Sequence, residues 1–346
     1  MEPIRVVVTG AGSIVGQGII KALRLSELPL YLIATDIAPL NQALYRADEG
    51  LILPRVESDG SLEIILERLS RIGVDVVMIG SEFDLAFFSL HRGEIEERLG
   101  CTVVVSPPTT VEIADDKWRT IEFLRDHDLP YAEACIPESP EMAVDWASKR
   151  GFRVVLKPRR GTSARHVHMI EDQADLETWL PRTPDPMLQE LAGPVSAGLD
   201  AEWTCSAFVT RDGEVLGPFS SRRSLRGGSS WIVEVKPLPI GAEVVLRIAE
   251  GLPHVGSINV QMMVSDQGII PFEFNARFSG TTPIRAHYGF NEPEMAIRSH
   301  HLGEALSQPM IREGVALRYV EEVFLDGVEA SALGEPFPRG VTRDWF

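Results

Sequence analysis

The most informative segment of the chain reads Pro271-Phe272-Glu273-Phe274-Asn275-Ala276-Arg277, and a matching segment, Ile258-Asn259-Val260-Gln261, precedes it. Both have the alternating pattern of β-strands, and the turn signal between them predicts a hairpin. Glu273 and Asn275 are two residues apart and therefore share a face, where Gln261 opposes them from the neighbouring strand. Three oxygen ligands on one face suit Mg²⁺, which takes its other ligands from water and substrate phosphates.

Arg277 continues the alternation on that face. An exposed polar sheet face is the ordinary explanation of such a row, but it does not account for a cation beside the three ligands. A metal that carries nucleotide phosphates needs a positive charge near the phosphoryl group that is transferred. The segment therefore predicts a phosphoryl-transfer site.

A cationic stretch lies between residues 149 and 165, with seven Lys and Arg residues and no carboxylate. Such a run is usually a solvated basic face. Here Lys157 ends a strand, Pro158 follows it, and the small residues Gly161, Thr162 and Ser163 come next. A loop of small residues presents backbone N–H groups to phosphate oxygens while the lysine adds a point charge. The stretch predicts a phosphate-binding loop.

The N-terminal region alternates strands and helices over residues 1–112, which predicts a doubly wound α/β domain. Its first loop contains Gly10, Gly12 and Gly16 and joins a strand to a helix. That loop is either the tight turn of a βαβ unit or a dinucleotide site in which Asp36 binds a ribose hydroxyl. The spacing G-x-G-x-x-x-G favours the turn, and an NAD(P)-dependent oxidoreductase is the alternative.

Composition excludes several classes of protein. Lys and Arg number 33 and Asp and Glu 50 among 346 residues, so the net charge of 33 − 50 = −17 disfavours nucleic-acid binding. The three cysteines, Cys101, Cys135 and Cys205, fit neither a disulfide framework nor a zinc site. Neither a signal peptide nor an apolar run of membrane-spanning length is present, so we expect a cytoplasmic protein without membrane contact.

Together these segments resemble the ATP-grasp superfamily, in the branch similar to the carbamoyl-phosphate synthase large subunit. The resemblance implies an ATP-grasp fold of mixed α/β and α+β class. A pre-ATP-grasp α/β domain would span residues 1–112 and the central helices with a small α+β lid residues 113–190. A C-terminal antiparallel-sheet catalytic subdomain would span residues 191–346.

The resemblance also implies residue roles. Lys117, in Asp116-Lys117-Trp118-Arg119, is similar to the family's first nucleotide-binding cation, and Glu202, in Glu202-Trp203-Thr204-Cys205-Ser206, to the residue that binds the ribose hydroxyls. Arg277 would face the γ-phosphate and the acyl phosphate. The remaining ATP-binding positions are Lys157, Gly161, Thr162, Ser163 and the adenine hinge Gln189-Glu190-Leu191. The catalytic set is Lys157, Asn275 and Arg277, and the metal set, for Mg²⁺ or alternatively Mn²⁺, is Gln261, Glu273 and Asn275.

The implied activity is that of an ADP-forming carboxylate–amine ligase. ATP phosphorylates a small carboxylate, and an amine attacks the acyl phosphate; a homodimer is common in such proteins. We expect the substrate to contact Arg222, Arg223, Ser279, Gly280, Thr281 and Arg285. A salt-bridge cluster explains Arg222 and Arg223 equally well. For the protein as a whole, a nucleotide-binding regulator without catalysis is a second alternative to the ligase.

Two departures from the family pattern accompany the resemblance. Ser206 replaces an acidic residue, and Arg159-Arg160 stands in a lid loop that has several glycines in relatives. The chain also contains one ATP-grasp module, so carbamoyl-phosphate synthesis is not inferred.

Overall fold

The computed structural model describes residues 2–161, 166–193, 199, 202–265, 268–335 and 337. The described residues form three β-sheets, which confirms the predicted mixture of α/β and α+β architecture. No helix among them is long and apolar enough to cross a membrane.

The N-terminal sheet is parallel, with strand order β3-β2-β1-β4-β5. Its strands are β1 (Ile4–Val8), β2 (Leu30–Asp36), β3 (Glu49–Ile52), β4 (Val76–Met78) and β5 (Thr102–Val104). Helices cover it: α1 (Ile14–Arg24), α2 (Ser61–Ile72), α3 (Glu82–Leu90) and α4 (Arg92–Leu99). The strands are apolar because both faces are buried, as Val6, Val7 and Val8 show. The doubly wound domain is thus confirmed.

The order of the strands reverses beside β1, and glycines allow the backbones to approach closely there. A Cβ on Gly80 would lie 2.3 Å from the carbonyl oxygen of Thr9 and 2.7 Å from the Cα of Gly16. Both neighbours are backbone atoms that cannot move without displacing β1 or α1.

We therefore expect Gly80→Ala to lower the free energy of unfolding by about 3 kcal/mol, the upper end of the usual cost of overpacking. Gly93, in α4, has open space where its Cβ would be, so Gly93→Ala serves as the control. It should change stability by less than about 1 kcal/mol, in the stabilising direction. Urea denaturation of both variants measures the difference, and equal stabilities would contradict this packing.

Two helices connect the first sheet to the rest: α5 (Pro108–Asp115) and α6 (Lys117–Asp126). The sequence pattern predicts a helical region from residue 109 to about residue 127, and the structure divides this region into two helices. Asp116 has an extended backbone conformation, and its side chain accepts a hydrogen bond from the Trp118 N–H, so it caps a new helix.

The lid sheet is small and antiparallel, with strand order β6-β9-β7-β8. Its strands are β6 (Ala134–Cys135), β7 (Val154–Pro158), β8 (His168–Ile170) and β9 (Pro186–Glu190), and its helices are α7 (Pro140–Ser148) and α8 (Gln173–Trp179). A separate apolar cluster, which includes Val154, Leu156, Leu176 and Leu188, holds the helices to this sheet. The lid therefore has its own core.

The largest sheet is antiparallel, with strand order β14-β13-β10-β11-β12-β15. Its strands are β10 (Glu202–Val209), β11 (Val215–Arg226), β12 (Ser229–Val235), β13 (Gly256–Ser265), β14 (Gly268–Asn275) and β15 (Gly314–Leu317). Helix α9 (Pro239–Gly251) packs Val245 and Ile248 against the apolar face, which includes Val260 and Phe274. The opposite face carries the polar residues.

Two short helices, α10 (Thr282–His287) and α11 (Glu292–Ala296), follow β14 and pack near α1. A π-helical turn, Ile297–His301, continues α11. Cys101, Cys135 and Cys205 are buried free thiols in this structure. The proposed domain limits at residues 112 and 190 stay a prediction.

Candidate active site

The predicted metal ligands come together on the β13–β14 hairpin. Gln261 lies directly opposite Glu273, and Asn259 lies opposite Asn275. The Asn275 amide nitrogen donates to Glu273 Oε1 at 2.9 Å. The pairing register shifts just after Gln261, and such an irregularity re-aims side chains near many active sites. One carboxylate and two amide side chains thus share a small area of the sheet.

This donor set fits Mg²⁺, which binds to oxygen and needs few protein ligands when phosphates supply the others. The amide oxygens now accept hydrogen bonds from guanidinium groups: Gln261 Oε1 from Arg223 at 2.9 Å and Asn275 Oδ1 from Arg277 at 3.1 Å. Because one carboxylate is present, the described residues contain no cluster of three His, Cys, Asp or Glu side chains around this point.

Arg277 connects the large sheet to the N-terminal domain. Its Nη2 donates to Glu82 of α3 at 2.6 Å as well as to Asn275, and its Nη1 donates to the Phe278 carbonyl at 2.8 Å. Its Nε is buried and has no hydrogen-bond partner among the described residues. Within the described part of the chain, Arg277 therefore keeps one donor without a partner beside the predicted metal ligands.

Lys157, at the end of β7, is buried and donates to Gln189 Oε1 at 2.6 Å. Burial, together with a smaller contribution from the positive charge of Lys117, lowers its pKa to about 8, and the charge of Glu273 opposes this shift. The lid lysine therefore feels the charges of both the helix α6 cation and the sheet carboxylate.

Lys117 contacts the lid loop itself. Its ammonium donates to the carbonyl oxygens of Gly161, at 2.9 Å, and Arg159, at 3.4 Å. Gly161 has a φ of +124°, a conformation that favours glycine. Thr162 and Ser163, which complete the predicted phosphate loop, lie outside the described residues.

Asp116 explains the two arginines of the lid loop. Its carboxylate accepts hydrogen bonds from Arg159 at 2.5 and 3.2 Å and lies 3.2 Å from Arg160 Nη2. Burial opposes ionisation, but the hydrogen bonds from Arg159 and Trp118 hold the pKa of Asp116 below its ordinary value. The sequence does not indicate this role, because Arg159 and Arg160 lie more than forty residues further along the chain.

The residues predicted to bind adenine and ribose form hydrogen bonds with other residues of the protein. The backbone N–H groups of Glu190 and Leu191 donate to the carbonyls of Glu133 and Arg153. Arg223 Nε donates to Glu202 at 2.8 Å. Their roles toward adenine and ribose stay a prediction.

The first two arginines predicted for the substrate lie on β11. Arg222 forms an ion pair with Glu234, and Arg223 forms one with Glu202 while it also reaches Gln261. The salt-bridge interpretation therefore applies to both. Arg223 nevertheless remains beside the metal ligands, so it stays in the proposed substrate set.

Arg285 requires a correction, because it is fully buried and cannot meet a substrate. Its Nη1 lies 3.0 Å from Glu292 Oε1, and its Nη2 donates to Asn259. Ser206, the departure from the family pattern, donates to the same carboxylate of Glu292. The serine that stands on β10 in place of the acidic residue is therefore part of the buried network formed by Arg285 and Glu292.

The loop after β14 is also largely structural. Ser279 and Thr281 are buried, and their hydroxyl oxygens lie 2.7 Å apart. A Cβ on Gly280 would come within 2.8 Å of Ile14, and one on Gly18 would contact Pro283. Gly280 thus allows α1 to pack closely against this loop, and the roles of these three residues toward a substrate stay a prediction.

We expect Glu292→Gln to destabilise the protein by about 3–5 kcal/mol, because it leaves Arg285 charged, buried and without its counter-ion. Glu94→Gln removes an exposed partner of Arg98 and should cost less than about 1 kcal/mol. Thermal and urea denaturation give both values. A Glu292→Gln variant as stable as Glu94→Gln would show that the network is not needed.

The first glycine loop forms hydrogen bonds with neighbouring side chains of the protein. The Gly12 N–H donates to Asp36 Oδ2 at 3.0 Å, and the Ser13 hydroxyl accepts from the Gly16 N–H at 2.9 Å and caps α1. A Cβ on Gly12 would overlap Asn41. The donors that a pyrophosphate needs are thus occupied, and the interpretation as a structural turn is supported over the dinucleotide site.

Comparison with known proteins agrees with this arrangement, although no family model matches the chain. The carbamoyl phosphate synthase large chain of Halobacterium salinarum is 24% identical over 347 residues, covering 92% of this chain and 32% of that protein. The large chain of Methanosphaerula palustris is 26% identical over 305 residues, covering 81% and 28%. The chain spans about a third of the length of these curated relatives.

Solved structures show the fold. The biotin carboxylase domain of Hydrogenobacter thermophilus 2-oxoglutarate carboxylase, a dimer with MgADP, ADP and bicarbonate, has a TM-score of 0.71 at 16% identity. It matches 91% of this chain and 74% of its own. Thermotoga maritima N5-carboxyaminoimidazole ribonucleotide synthetase has a TM-score of 0.66 at 21% identity, with coverages of 89% and 78%. The chain therefore has the ATP-grasp fold, and its resemblance to ATP-grasp ligases of the carbamoyl-phosphate synthase type is confirmed.

Proposed function

We propose that the protein is an ADP-forming ligase that joins a small carboxylate to an amine. The observation that supports this most is the convergence of Glu273 and Asn275 on the large sheet with Arg277, which follows it, and Lys157 on the lid sheet. Asn275 links Glu273 to Arg277 by hydrogen bonds, and the Glu273 charge acts on buried Lys157. Cations, a carboxylate and amide oxygens around one point suit the handling of a transferring phosphoryl group.

The reaction has two steps. A carboxylate oxygen of the first substrate attacks the γ-phosphorus of ATP, the bond between that phosphorus and the β–γ bridging oxygen breaks, and ADP leaves with the electron pair. The amine nitrogen then attacks the carbonyl carbon of the acyl phosphate, and inorganic phosphate leaves as the nitrogen loses its proton. Phosphorylation is needed because a free carboxylate lacks a good leaving group.

The residues divide this work by position. Lys157 and Lys117 hold negative phosphate oxygens under the lid, and Arg277 balances charge where the acyl phosphate forms. Gln261, Glu273 and Asn275 would hold Mg²⁺, which neutralises phosphate charge when bound. Closure of the lid sheet keeps water from the acyl phosphate, which would otherwise hydrolyse.

The remaining parts of the proposal concern partners and location. Two small molecules are the substrates, and a homodimer is proposed because the H. thermophilus domain is described as a dimer. We place the protein in the cytoplasm because the described cysteines are free thiols.

A screen of ADP release over pairs of small carboxylates and amines tests the proposal. We expect one pair to give ADP release that depends on ATP, Mg²⁺ and both substrates, together with an amide product. Nucleotide binding without turnover for any pair would favour the non-catalytic regulator.

A further inference from the structure

The first two residues of α6 and its cap bind the lid loop, which is Arg159-Arg160-Gly161 in the described part of the chain. The Asp116 side chain is fully buried, and its carboxylate accepts hydrogen bonds from Arg159 and lies 3.2 Å from Arg160 Nη2. The Lys117 N–H donates to the Arg159 carbonyl at 3.0 Å, and the Lys117 ammonium donates to the Gly161 carbonyl at 2.9 Å. The start of the helix and the lid loop are therefore joined by several polar contacts.

The two arginines of the lid loop have carboxylate partners within the protein. Arg159 pairs with Asp116 and lies 3.9 Å from Asp185, and Arg160 lies 3.7 Å from Asp115 as well as beside Asp116. The pair between Arg159 and Asp116 uses two guanidinium nitrogens and both carboxylate oxygens, a geometry that fixes orientation. These arginines are thus better suited to hold the loop than to bind a phosphate.

The two lysines near this loop have neutral acceptors instead. Lys117 donates to backbone carbonyls, and Lys157, two residues before Arg159, donates to the Gln189 amide oxygen. Burial and, to a smaller extent, the Lys117 charge lower the pKa of Lys157, so the two ammonium groups are close enough to repel one another. Two cations that the fold keeps close together form a site prepared for an anion.

We propose that Asp116 is a positioning residue of the nucleotide site and that it acts through Arg159 and Arg160. Its ion pairs keep the lid loop against α6, so that Lys117 and Lys157 are in place before the phosphates arrive. The proposal rests on the ATP binding of the proposed function and adds a residue that does not itself touch the nucleotide. Without the ion pairs, the apparent affinity falls in proportion to the fraction of molecules whose loop is in place.

Asp116→Asn separates the charge of this residue from its role as a helix cap. Asparagine caps a helix as well as aspartate does, so α6 should keep its start while the two arginines lose their shared counter-ion. We expect the affinity of the full chain for MgATP, measured by calorimetry, to fall about tenfold or more, the effect of losing charged hydrogen bonds. Direct phosphate binding by the arginines predicts the opposite sign, because removal of the carboxylate would free them and tighten the binding.

A double-mutant cycle tests whether Asp116 acts through Arg159. Arg159→Gln alone should weaken MgATP binding to a similar extent, and its addition to Asp116→Asn should cost less than about threefold more, because the contact is already lost. Adenosine, which lacks the phosphates, should bind these three variants as it binds the unmodified protein. Asp145→Asn removes an exposed carboxylate of the same lid, which pairs with Lys149, and as the control it should keep full affinity for MgATP.

The outcomes separate this proposal from the proposed function. Thermal melts show whether each variant is folded, and Asp116→Asn and Arg159→Gln replace one another if either fails to fold. Unchanged or tighter MgATP binding in Asp116→Asn, independent effects in the cycle, or an equal loss of adenosine affinity overturns the role of Asp116 alone. No binding of MgATP by the unmodified protein overturns this role together with the nucleotide site. The expected changes in affinity, together with no turnover of any carboxylate and amine pair, support the role of Asp116 and overturn the ligase.

Discussion

Glu273→Gln is expected to lower the rate of ATP-dependent ADP release by about 10³-fold or more, the upper range for loss of one preorganised electrostatic group. Glu273 is the only carboxylate in the proposed metal set, and it also accepts a hydrogen bond from Asn275. Glutamine keeps the size of the side chain but removes the charge that would face Mg²⁺. The measurement is ADP release at several Mg²⁺ concentrations, with the variant's thermal melt recorded alongside.

Glu243→Gln is the matched control for that experiment. Glu243 is exposed on α9, which packs against the apolar face of the same sheet. This variant should keep the activity of the unmodified protein. Full activity in Glu273→Gln, with a normal melt, would remove Glu273 from the site.

The second large effect is expected from Lys157→Met. Methionine matches much of the length of lysine in a buried position but brings no charge, so the affinity for MgATP should fall about 10²-fold, as expected for loss of a charged contact. The charged form of Lys157 exists below its pKa of about 8. Raising the pH through that value should therefore weaken MgATP binding to the unmodified protein.

A titration of MgATP affinity between pH 6 and 10 checks both parts of this prediction. Lys157→Met should bind weakly and show no loss of affinity around pH 8. Lys149→Met, which removes an exposed lysine of the same lid that pairs with Asp145 at 2.6 Å, should behave like the unmodified protein. An identical pH dependence in Lys157→Met would mean that another group binds the phosphates.

The hairpin with Gln261, Glu273 and Asn275 was predictable because strand alternation is a local property. Two residues of spacing fix a shared face, and the apolar residues between them fix which face is buried. The parallel N-terminal sheet was predictable from a different local pattern, the continuous apolar runs of strands that are buried on both faces. The exception is β3, whose Glu49-Gly50-Leu51-Ile52 sequence is too short and too polar to stand out.

The contacts of Asp116 with the lid loop were not predictable in the same way. The apolar period continues from α5 into α6, and only the capping interaction of Asp116 breaks the helix. Its second role, toward Arg159 and Arg160, depends on a lid strand that lies more than forty residues further along the chain. Sequence spacing carries no information about such a contact.

The burial of Arg285 was also not predictable from the local sequence. An arginine after a predicted catalytic strand looks like a substrate ligand, yet this one is fully buried against Glu292. Burial of a charge depends on how α10 and α11 pack on the sheet, which no local pattern reveals.

The structure shows how the charges that sum to −17 are distributed. The described cations Lys117, Lys157 and Arg277 surround the proposed phosphate site. The proposed phosphate site is thus a positive position in an acidic protein. Long polyanions meet mostly repulsion.

Equilibrium titration of the unmodified protein with ATP, with and without Mg²⁺ and with NADH as the comparator, tests the central claim most directly. The account predicts saturable binding of ATP that strengthens when Mg²⁺ is added, and no binding of NADH. Binding of NADH, or ATP binding that is indifferent to Mg²⁺ and to Glu273→Gln, would contradict it.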